Sequence, residues 1–265
     1  MLEAVLLDAR VLVPGEGDLA EDLLSGRRRQ GRIELRRLPT IAGGSWRRMS
    51  RLSRMVATAA ADLAAEDVPV VFGTAIGEIV PTTRFQDRLY TEGPDRASPL
   101  AFQNSVYNAP AGHLSIALGL RSLSETVAAG GATGLSALLR GMTLLRQHDE
   151  VLVIAADDDN EHIAAACATN GLPAPGEAVA AVRIGRAGEG PRIRLGAGVD
   201  GDAILTRRTR LPREQALASA PGAPIEACLG ICLSSGLAAL LALRHRGGCV
   251  VDLDGRSALS ARICL

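Results

Sequence analysis

The sequence predicts a layered α/β protein, and three observations support this. Apolar runs typical of buried strands alternate with helical segments over about the first 160 residues. Two pairs of strand-like segments follow near the end of the chain. Hydrophobic residues make up 47% of the sequence but aromatic residues only 2%, so the core must be built from closely packed Ala, Leu and Val. This order implies a mainly parallel or mixed sheet between helices.

The first elements follow from local patterning. An apolar segment predicts a strand over residues 3–13, and a helix-like segment follows around 18–25. Apolar residues at helical spacing predict one long helix over 45–65, with Ser45 as its N-cap. The run "VPVVFGTA", residues 68–75, predicts a buried strand that ends near Gly73.

The middle of the chain continues the alternation. We expect a polar helix over 77–91, then a Gly/Pro loop. The stretch "SETVAAGGATGLSALLR", residues 124–140, predicts a short strand, a tight glycine turn and an amphipathic helix. A buried strand follows within 150–159. If the strands at 68–74, 125–129 and 150–155 did not share a sheet, the predicted fold would be wrong.

The last third predicts strand pairs around one helix. The segments 177–185 and 191–199 read as an antiparallel pair joined by a glycine-rich turn. A long apolar helix is expected over 229–245, followed by two short strands at 249–255 and 259–265.

Charge is balanced overall but uneven along the chain. All basic residues are Arg, and the formal net charge is zero, so bulk electrostatics indicate no nucleic-acid partner. Residues 27–54 nevertheless carry ten Arg against the single acid Glu34. This segment is either a solvated surface or a patch that steers an acidic partner.

Cysteine usage and hydropathy indicate a cytoplasmic protein without membrane segments. The five Cys form no C-x-x-C pair and suggest reduced thiols. The N-terminus has no basic segment typical of a signal peptide. No apolar run reaches the roughly 20 residues that a bilayer-spanning helix needs.

Motifs for cofactors and metals are weak. The turn G-G-A-T-G differs from a dinucleotide-binding loop, and no phosphate-binding G-x-x-x-x-G-K-[ST] motif is present. The acidic run at 155–162 could suggest a metal site, but a solvated loop that caps the next helix explains it better. The four His are scattered, and spacing alone shows no pair of nucleophile and base. We therefore expect no cofactor and no metal.

Residues 65–185 resemble ketosynthases, the thiolase-fold enzymes that condense acyl chains. Ketosynthases show an S-P-x-x-F-x-x-x-x-x-N-x-x-A-G segment, then a strand, then a nucleophilic Cys at the start of the next helix. The matching residues here are Ser98, Pro99, Phe102, Asn108, Ala111 and Gly112. The resemblance implies a thiolase-like layered α/β/α/β/α fold with a truncated C-terminal half.

The chain departs from active ketosynthases at the nucleophile. The position of the catalytic Cys falls on Gly131, and glycine cannot accept an acyl chain. The two further His that ketosynthases use also have no counterpart in a C-terminal half reduced to about 80 residues. The resemblance implies an N-terminal half over residues 1–185 and a reduced half over 186–265, within one compact domain.

Chain length factors, the non-condensing partners of ketosynthases in type II polyketide systems, also lack this Cys. The chain is similar to their short form in aryl polyene and type II polyketide systems. The expected function is therefore a non-catalytic subunit of a β-ketoacyl synthase complex. Two alternatives remain open: an enzyme with an unusual nucleophile, Ser235 or Cys232, and a module that binds nucleotide or acyl carrier protein.

The resemblance also implies where partners bind. An active ketosynthase or a second copy of the chain would contact the segment from Phe102 to Ala129. The expected interface residues are Phe102, Val106, Tyr107, Asn108, Leu114, Thr126, Val127 and Ala128. The expected patch for an acyl carrier protein is Arg47, Arg48, Arg51 and Arg54.

Overall fold

A computed structural model describes residues 1–198, 200, 202–209, 222–254 and 257–265. Its strands are β1 (Leu2–Leu12), β2 (Val70–Gly73), β3 (Ser124–Val127), β4 (Glu150–Asp157), β5 (Ala178–Gly185), β6 (Arg192–Ala197), β7 (Leu205–Thr209), β8 (Ala223–Pro224), β9 (Gly248–Asp254) and β10 (Ser257–Cys264). Its helices are α1 (Leu19–Ser25), α2 (Gly43–Arg48), α3 (Arg51–Ala60), α4 (Ile79–Glu92), α5 (Pro99–Gln103), α6 (Ala109–Leu118), α7 (Thr133–Leu144), α8 (Glu161–Thr169), α9 (Ile225–Leu229) and α10 (Ser235–Ala242). These elements confirm the predicted layered α/β class.

The strands form one sheet in the order β3-β2-β4-β5-β1-β6-β10-β9-β7-β8. β2 lies between β3 and β4 and is parallel to both, so the three strands that the sequence places together do share a sheet. The first half of this order, β3-β2-β4-β5-β1, corresponds strand by strand to the second half read backwards, β8-β7-β9-β10-β6. Each strand of the first half is matched by the strand five places later in the chain. The parallel and antiparallel pairings also correspond. The fold is therefore a repeat of one five-strand unit.

β1 joins the two units. Its first residues pair with β6 and the rest with β5, antiparallel in both cases. The predicted direct pairing of the segments 177–185 and 191–199 is therefore wrong, because β1 lies between them. The turn that connects them passes close to β1: a Cβ on Gly190 would lie 2.3 Å from the carbonyl oxygen of Leu6. The boundary between residues 185 and 186 falls in this connection and stays a prediction.

The core has two layers of helices around the first unit. α3 and α6 pack on one face against residues such as Phe72, Leu152 and Ile154. α7 and α10 pack on the other face against Val71 and Val153. The second unit turns its own apolar side chains toward α7 and α10, so these two helices form the central layer.

The opposite face of the second unit carries ion pairs beside a small buried apolar cluster of Ala203, Cys249, Val251 and Leu253. Arg192 and Arg194 each bind Glu3 at 2.8 Å, and Arg262 binds Asp200 at 2.9 Å. Ion pairs can remain in water where apolar side chains would need a covering layer. This composition fits a C-terminal half that has kept its sheet and reduced its helices.

The helix predicted over 45–65 is two helices. Met49 adopts an extended backbone (ψ 138°) and ends α2. Ser50 is then the N-cap of α3, and its hydroxyl accepts a hydrogen bond from the backbone N–H of Ser53 at 2.9 Å. Ser45, the predicted N-cap, lies inside α2. A serine that can satisfy free N–H groups here outweighs the continuous apolar periodicity.

Candidate functional site

The glycine turn lies at the centre of the molecule. β3 leads into a 3-10 turn at Gly130–Ala132, and α7 starts at Thr133. Gly130 has a φ of 51°, which glycine adopts readily. The hydroxyl of Thr133 donates to the carbonyl of Gly130 at 2.7 Å and accepts from the N–H of Ala129 at 2.9 Å. Gly131 is buried between these contacts.

The start of α7 packs against the start of α10. A Cβ on Gly134 would lie 2.5 Å from the carbonyl oxygen of Ser234, so only glycine fits there. Gly236 in α10 is required for a second reason, because a Cβ there would lie 2.1 Å from the carboxylate oxygens of Asp252. The first turns of α7 and α10 therefore meet directly.

The residues considered as unusual nucleophiles lie inside this contact. Cys232 and Ser235 are both 1% exposed. The thiol of Cys232 lies 3.9 Å from the carbonyl of Asp157, and Ser235 Oγ has no hydrogen-bond partner among the described residues. None of the four His belongs to the glycine turn or to the first turn of α7 or α10. No His is therefore placed as a base for either side chain in these elements.

Two buried aspartates lie at this centre: the sequence predicts a solvated acidic run around Asp157 and does not single out Asp252. Asp157 ends β4, and its Oδ2 accepts the N–H of Ser234 at 2.9 Å. Asp252 lies in β9, and its Oδ2 accepts the N–H of Leu135 at 3.2 Å. Burial raises the pKa of Asp157, while hydrogen bonds from Thr74 and neighbouring N–H groups oppose the shift. The available signal was an acid within the otherwise apolar run "VVDL", where Val250, two residues before Asp252, is a core residue.

The acidic run after β4 is partly buried, whereas the sequence predicted a solvated loop. Asp158 lies near Asp157 and Glu177, and burial raises its pKa to about 6. Asn160 caps α8 through the N–H groups of His162 and Ile163, as the capping interpretation predicted. Among the described residues, no cluster of three or more His, Cys, Asp or Glu is placed to hold a metal ion.

Glu78 belongs to the same group of acids. It lies just before α4 and is 3% exposed. Its carboxylate accepts hydrogen bonds from the hydroxyls of Ser50 and Ser53, at the start of α3. Burial raises the pKa of Glu78 to about 7, with the charge of Asp158 acting in the same direction. Folding therefore favours the protonated form of this side chain.

This shift predicts a pH-dependent stability. The folded protein holds the Glu78 proton more tightly than the unfolded chain, whose glutamate pKa is near 4.5. The contribution of Glu78 is therefore largest below pH 4.5 and is lost as the pH rises toward 7. Glu78→Gln, which keeps a neutral side chain, should gain on the order of 2 kcal/mol over wild type between pH 5 and 8.

Urea unfolding at several pH values measures this difference. Glu16→Gln, at an exposed acid, is the control and should follow wild type throughout. A Glu78→Gln variant whose stability runs parallel to wild type from pH 5 to 8 would show that Glu78 is ionised in the folded protein.

Most of the basic segment is also structural. Arg29 is 8% exposed and binds Asp22 together with the carbonyls of Pro14, Gly15 and Gly17. Arg28 binds the carbonyls of Ala174 and Pro175. These contacts fasten the long connection between α1 and α2 to the body of the protein. Arg28 and Arg29 therefore have a structural role. The sequence suggested only a solvated surface or a patch for an acidic partner.

The expected carrier-protein patch is split by the structure. Arg51 binds the buried Glu177 through Nε at 3.0 Å. Arg54 lies over the ring of Trp46 and donates to the backbone carbonyl of that residue at 3.2 Å. Arg47 and Arg48 are exposed. Arg51 is therefore engaged inside its own chain, while the carrier-protein patch stays a prediction.

The expected interface residues are mostly on the surface. The exposed apolar side chains of this region are Leu100, Phe102, Val106, Tyr107, Ile116 and Leu123, and we call them the apolar face. Beside them β3 is the edge strand, with Thr126 and Val127 half-buried and Ala128 exposed. Asn108 is also exposed. Leu114 is an exception: it is fully buried under α3 in the core of its own chain and offers no surface.

The segment from α4 to Tyr107, which we call the arm, carries much of the apolar face. α4 and α5 contain no buried residue, although α4 has 14 residues. Phe85 and Phe102 hold the two helices together with their ring centres 5.5 Å apart. The ring of Tyr107 packs on Gly77, and a Cβ on Gly77 would lie 3.0 Å from that ring. The arm therefore projects from the isolated chain.

Among the described residues, none of the helices combines the length and the apolar character needed to cross a bilayer.

Comparison with known proteins agrees with this geometry. A family model described as "Beta-ketoacyl synthase, N-terminal domain" matches residues 27–208. No curated protein matches the chain significantly.

Three solved structures are similar in fold. One is a ketosynthase in complex with its chain length factor from Xenorhabdus doucetiae, with 17% identity, a TM-score of 0.65, and coverage of 99% of this chain and 100% of that chain. The ishigamide ketosynthase/chain length factor has 19% identity and a TM-score of 0.74 over 99% of both chains. A type II polyketide acyl-carrier protein in complex with its hexaketide-bound ketosynthase has 12% identity and a TM-score of 0.70, over 99% and 98%. These likenesses establish the thiolase-like fold.

Proposed function

The chain belongs to the family of β-ketoacyl synthase N-terminal domains, and from this premise we propose that it is a non-catalytic subunit of the chain-length-factor type. In this role it pairs with an active β-ketoacyl synthase of a type II polyketide system, such as one that makes aryl polyenes. We place this complex in the cytoplasm.

One observation carries the proposal. Gly131 stands at the start of α7, where the family resemblance expects the nucleophilic Cys. The five Cys of the chain all lie elsewhere, and four of them are buried. An acyl chain transferred from a thioester needs a nucleophile at this helix N-terminus, where the thiolate is stabilised. A protein without one can contribute shape and surface to a condensation but no covalent step.

The apolar face supports a protein partner. Its side chains would be costly to leave in water together, and β3 beside them is an edge strand of the sheet that the described residues form, so another strand can pair with it. Pairing of this edge with a ketosynthase strand would cover both. Two solved structures with this fold are themselves described as ketosynthase and chain length factor assemblies.

An acyl carrier protein is the second proposed partner. Arg47 and Arg48 are exposed on α2, and the side-chain amide of Asn104 binds the carbonyl of Arg48 at 3.2 Å. This contact joins α2 to the arm next to the apolar face. The two guanidinium groups could therefore attract an acidic carrier protein to the edge of the assembled complex.

Acyl transfer tests the proposal. We expect the purified chain, incubated with acyl-loaded and malonyl-loaded acyl carrier protein, to show no mass increase and no decarboxylation. A co-expressed β-ketoacyl synthase is the positive control, because it should become acylated and should co-purify with the chain. Acylation of the chain itself at a defined residue, detected by intact mass and peptide mapping, would contradict a non-catalytic role.

A further inference from the structure

The two halves of the fold cap each other's central helices. Asp157 of the first unit binds the N–H of Ser234 at the start of α10, and Asp252 of the second unit binds the N–H of Leu135 in the first turn of α7. Asp157 is 1% exposed and Asp252 is fully buried. Each unit therefore places one carboxylate at the start of the other unit's central helix.

Small residues make room for the carboxylate of Asp252. Gly236 leaves the space into which this group fits, since a Cβ there would overlap both oxygens. Gly134 brings α10 to within contact of α7. The Gly130–Ala132 turn packs against β9, the strand that carries Asp252. The carboxylate is thus held at the helix end that follows Gly131.

A helix N-terminus carries a partial positive charge that stabilises one nearby anion well. An active enzyme uses it for a thiolate or for the oxyanion of a thioester. We infer that Asp252 is ionised and occupies this end of α7 from within the chain, so that the end is closed to acyl-thioester chemistry even if a thiol is present. This inference rests on the proposed function and adds a second barrier to catalysis besides Gly131.

Introduced thiols test the inference through their own ionisation. Gly131→Cys places a thiol at the turn, and Asp252→Asn then removes the charge while keeping an oxygen acceptor for Leu135. The rate of alkylation by iodoacetamide against pH, followed by peptide mapping, gives the thiol pKa. We expect Gly131→Cys to titrate at or above the ordinary cysteine value of about 8.5, and the double variant about one unit lower.

Asp157→Asn is the matched control, because it neutralises the corresponding carboxylate at α10 and should leave the new thiol unchanged. Ser136→Cys provides a second probe in case Gly131→Cys fails to fold. Ser136 lies in the first turns of α7 and lines a cleft with Ala129 and Ala132 that the reagent can enter. Its thiol pKa should fall in the same way with Asp252→Asn.

The outcomes separate this inference from the proposed function. A Gly131→Cys or Ser136→Cys thiol with a pKa well below 8.5, or one that Asp252→Asn leaves unchanged, would overturn the role of Asp252. Neither result bears on whether the natural chain accepts acyl groups. Acylation of the natural chain would overturn the proposed function whatever the thiols do.

Discussion

Val127→Arg should abolish the proposed assembly, whether the partner is a β-ketoacyl synthase or a second copy of the chain. Val127 is the last residue of β3, paired on one side with Gly73 of β2 and half-buried in the isolated chain. A strand added on the other side would enclose the new guanidinium without a counter-charge. Burying an unpaired charge costs several kcal/mol, so the affinity should fall at least about a hundredfold.

Light scattering at low micromolar concentration measures this loss, with circular dichroism to confirm that the chain stays folded. Val127 also packs partly against its own core, so Phe102→Arg is a useful companion. Phe102 is 57% exposed, so its replacement leaves the core intact, although it removes the ring contact with Phe85 that joins α4 to α5. Leu172→Arg, at a similarly exposed leucine in the loop after α8, should leave assembly intact. Complexes that persist in both Val127→Arg and Phe102→Arg would place the interface elsewhere.

The parallel strands and the glycine turn could be predicted because their signals are local. β2 and β4 are short apolar runs bounded by polar or glycine residues, and such runs predict buried strands without knowledge of the rest of the chain. The placement of Gly131 at the nucleophile position was carried along the helix pattern of the resemblance and stays a prediction.

The contacts at the centre could not be predicted in the same way. Asp252 and Leu135 are 117 residues apart in sequence, and their contact depends on how the two units face each other. The position of β1 between β5 and β6 likewise depends on the whole sheet, whereas the glycine-rich turn between those strands suggested a hairpin. The glycine-rich turn was misleading because a longer-range pairing satisfies the same backbone groups.

The Arg-rich connection shows the same limit for charge. A run of Arg indicates a surface patch when nothing is known of the acids that it faces. Asp22 and Glu177 are both buried, and each is bound by Arg residues of this run. The partners lie on either side of the connection, from α1 to the start of β5, so the sequence alone gave no reason to join them.

Glu177→Ala should therefore be strongly destabilising. The side chain of Glu177 is fully buried and makes a two-pronged ion pair with Arg51, while also accepting the backbone N–H of Ile33. Removing one partner of a buried pair leaves the other charge uncompensated and typically costs 3–5 kcal/mol. We expect a loss of about 3 kcal/mol, or roughly 6–10 °C in Tm for a chain of this size.

Glu34→Ala is the matched control, because it breaks an ion pair in the same connection that is almost wholly in water. The side chains of Glu34 and Arg36 are 88% and 91% exposed, at 3.8 Å, and such pairs contribute about 0–1 kcal/mol. Thermal and urea unfolding compare the two variants, and Glu177→Gln should fall between them because it keeps hydrogen bonds but no charge. Equal stability of Glu177→Ala and Glu34→Ala would mean that the connection is not fastened to the body through Arg51. The basic segment would then again be free to form a surface for an acidic partner, with Arg51 beside Arg47 and Arg48.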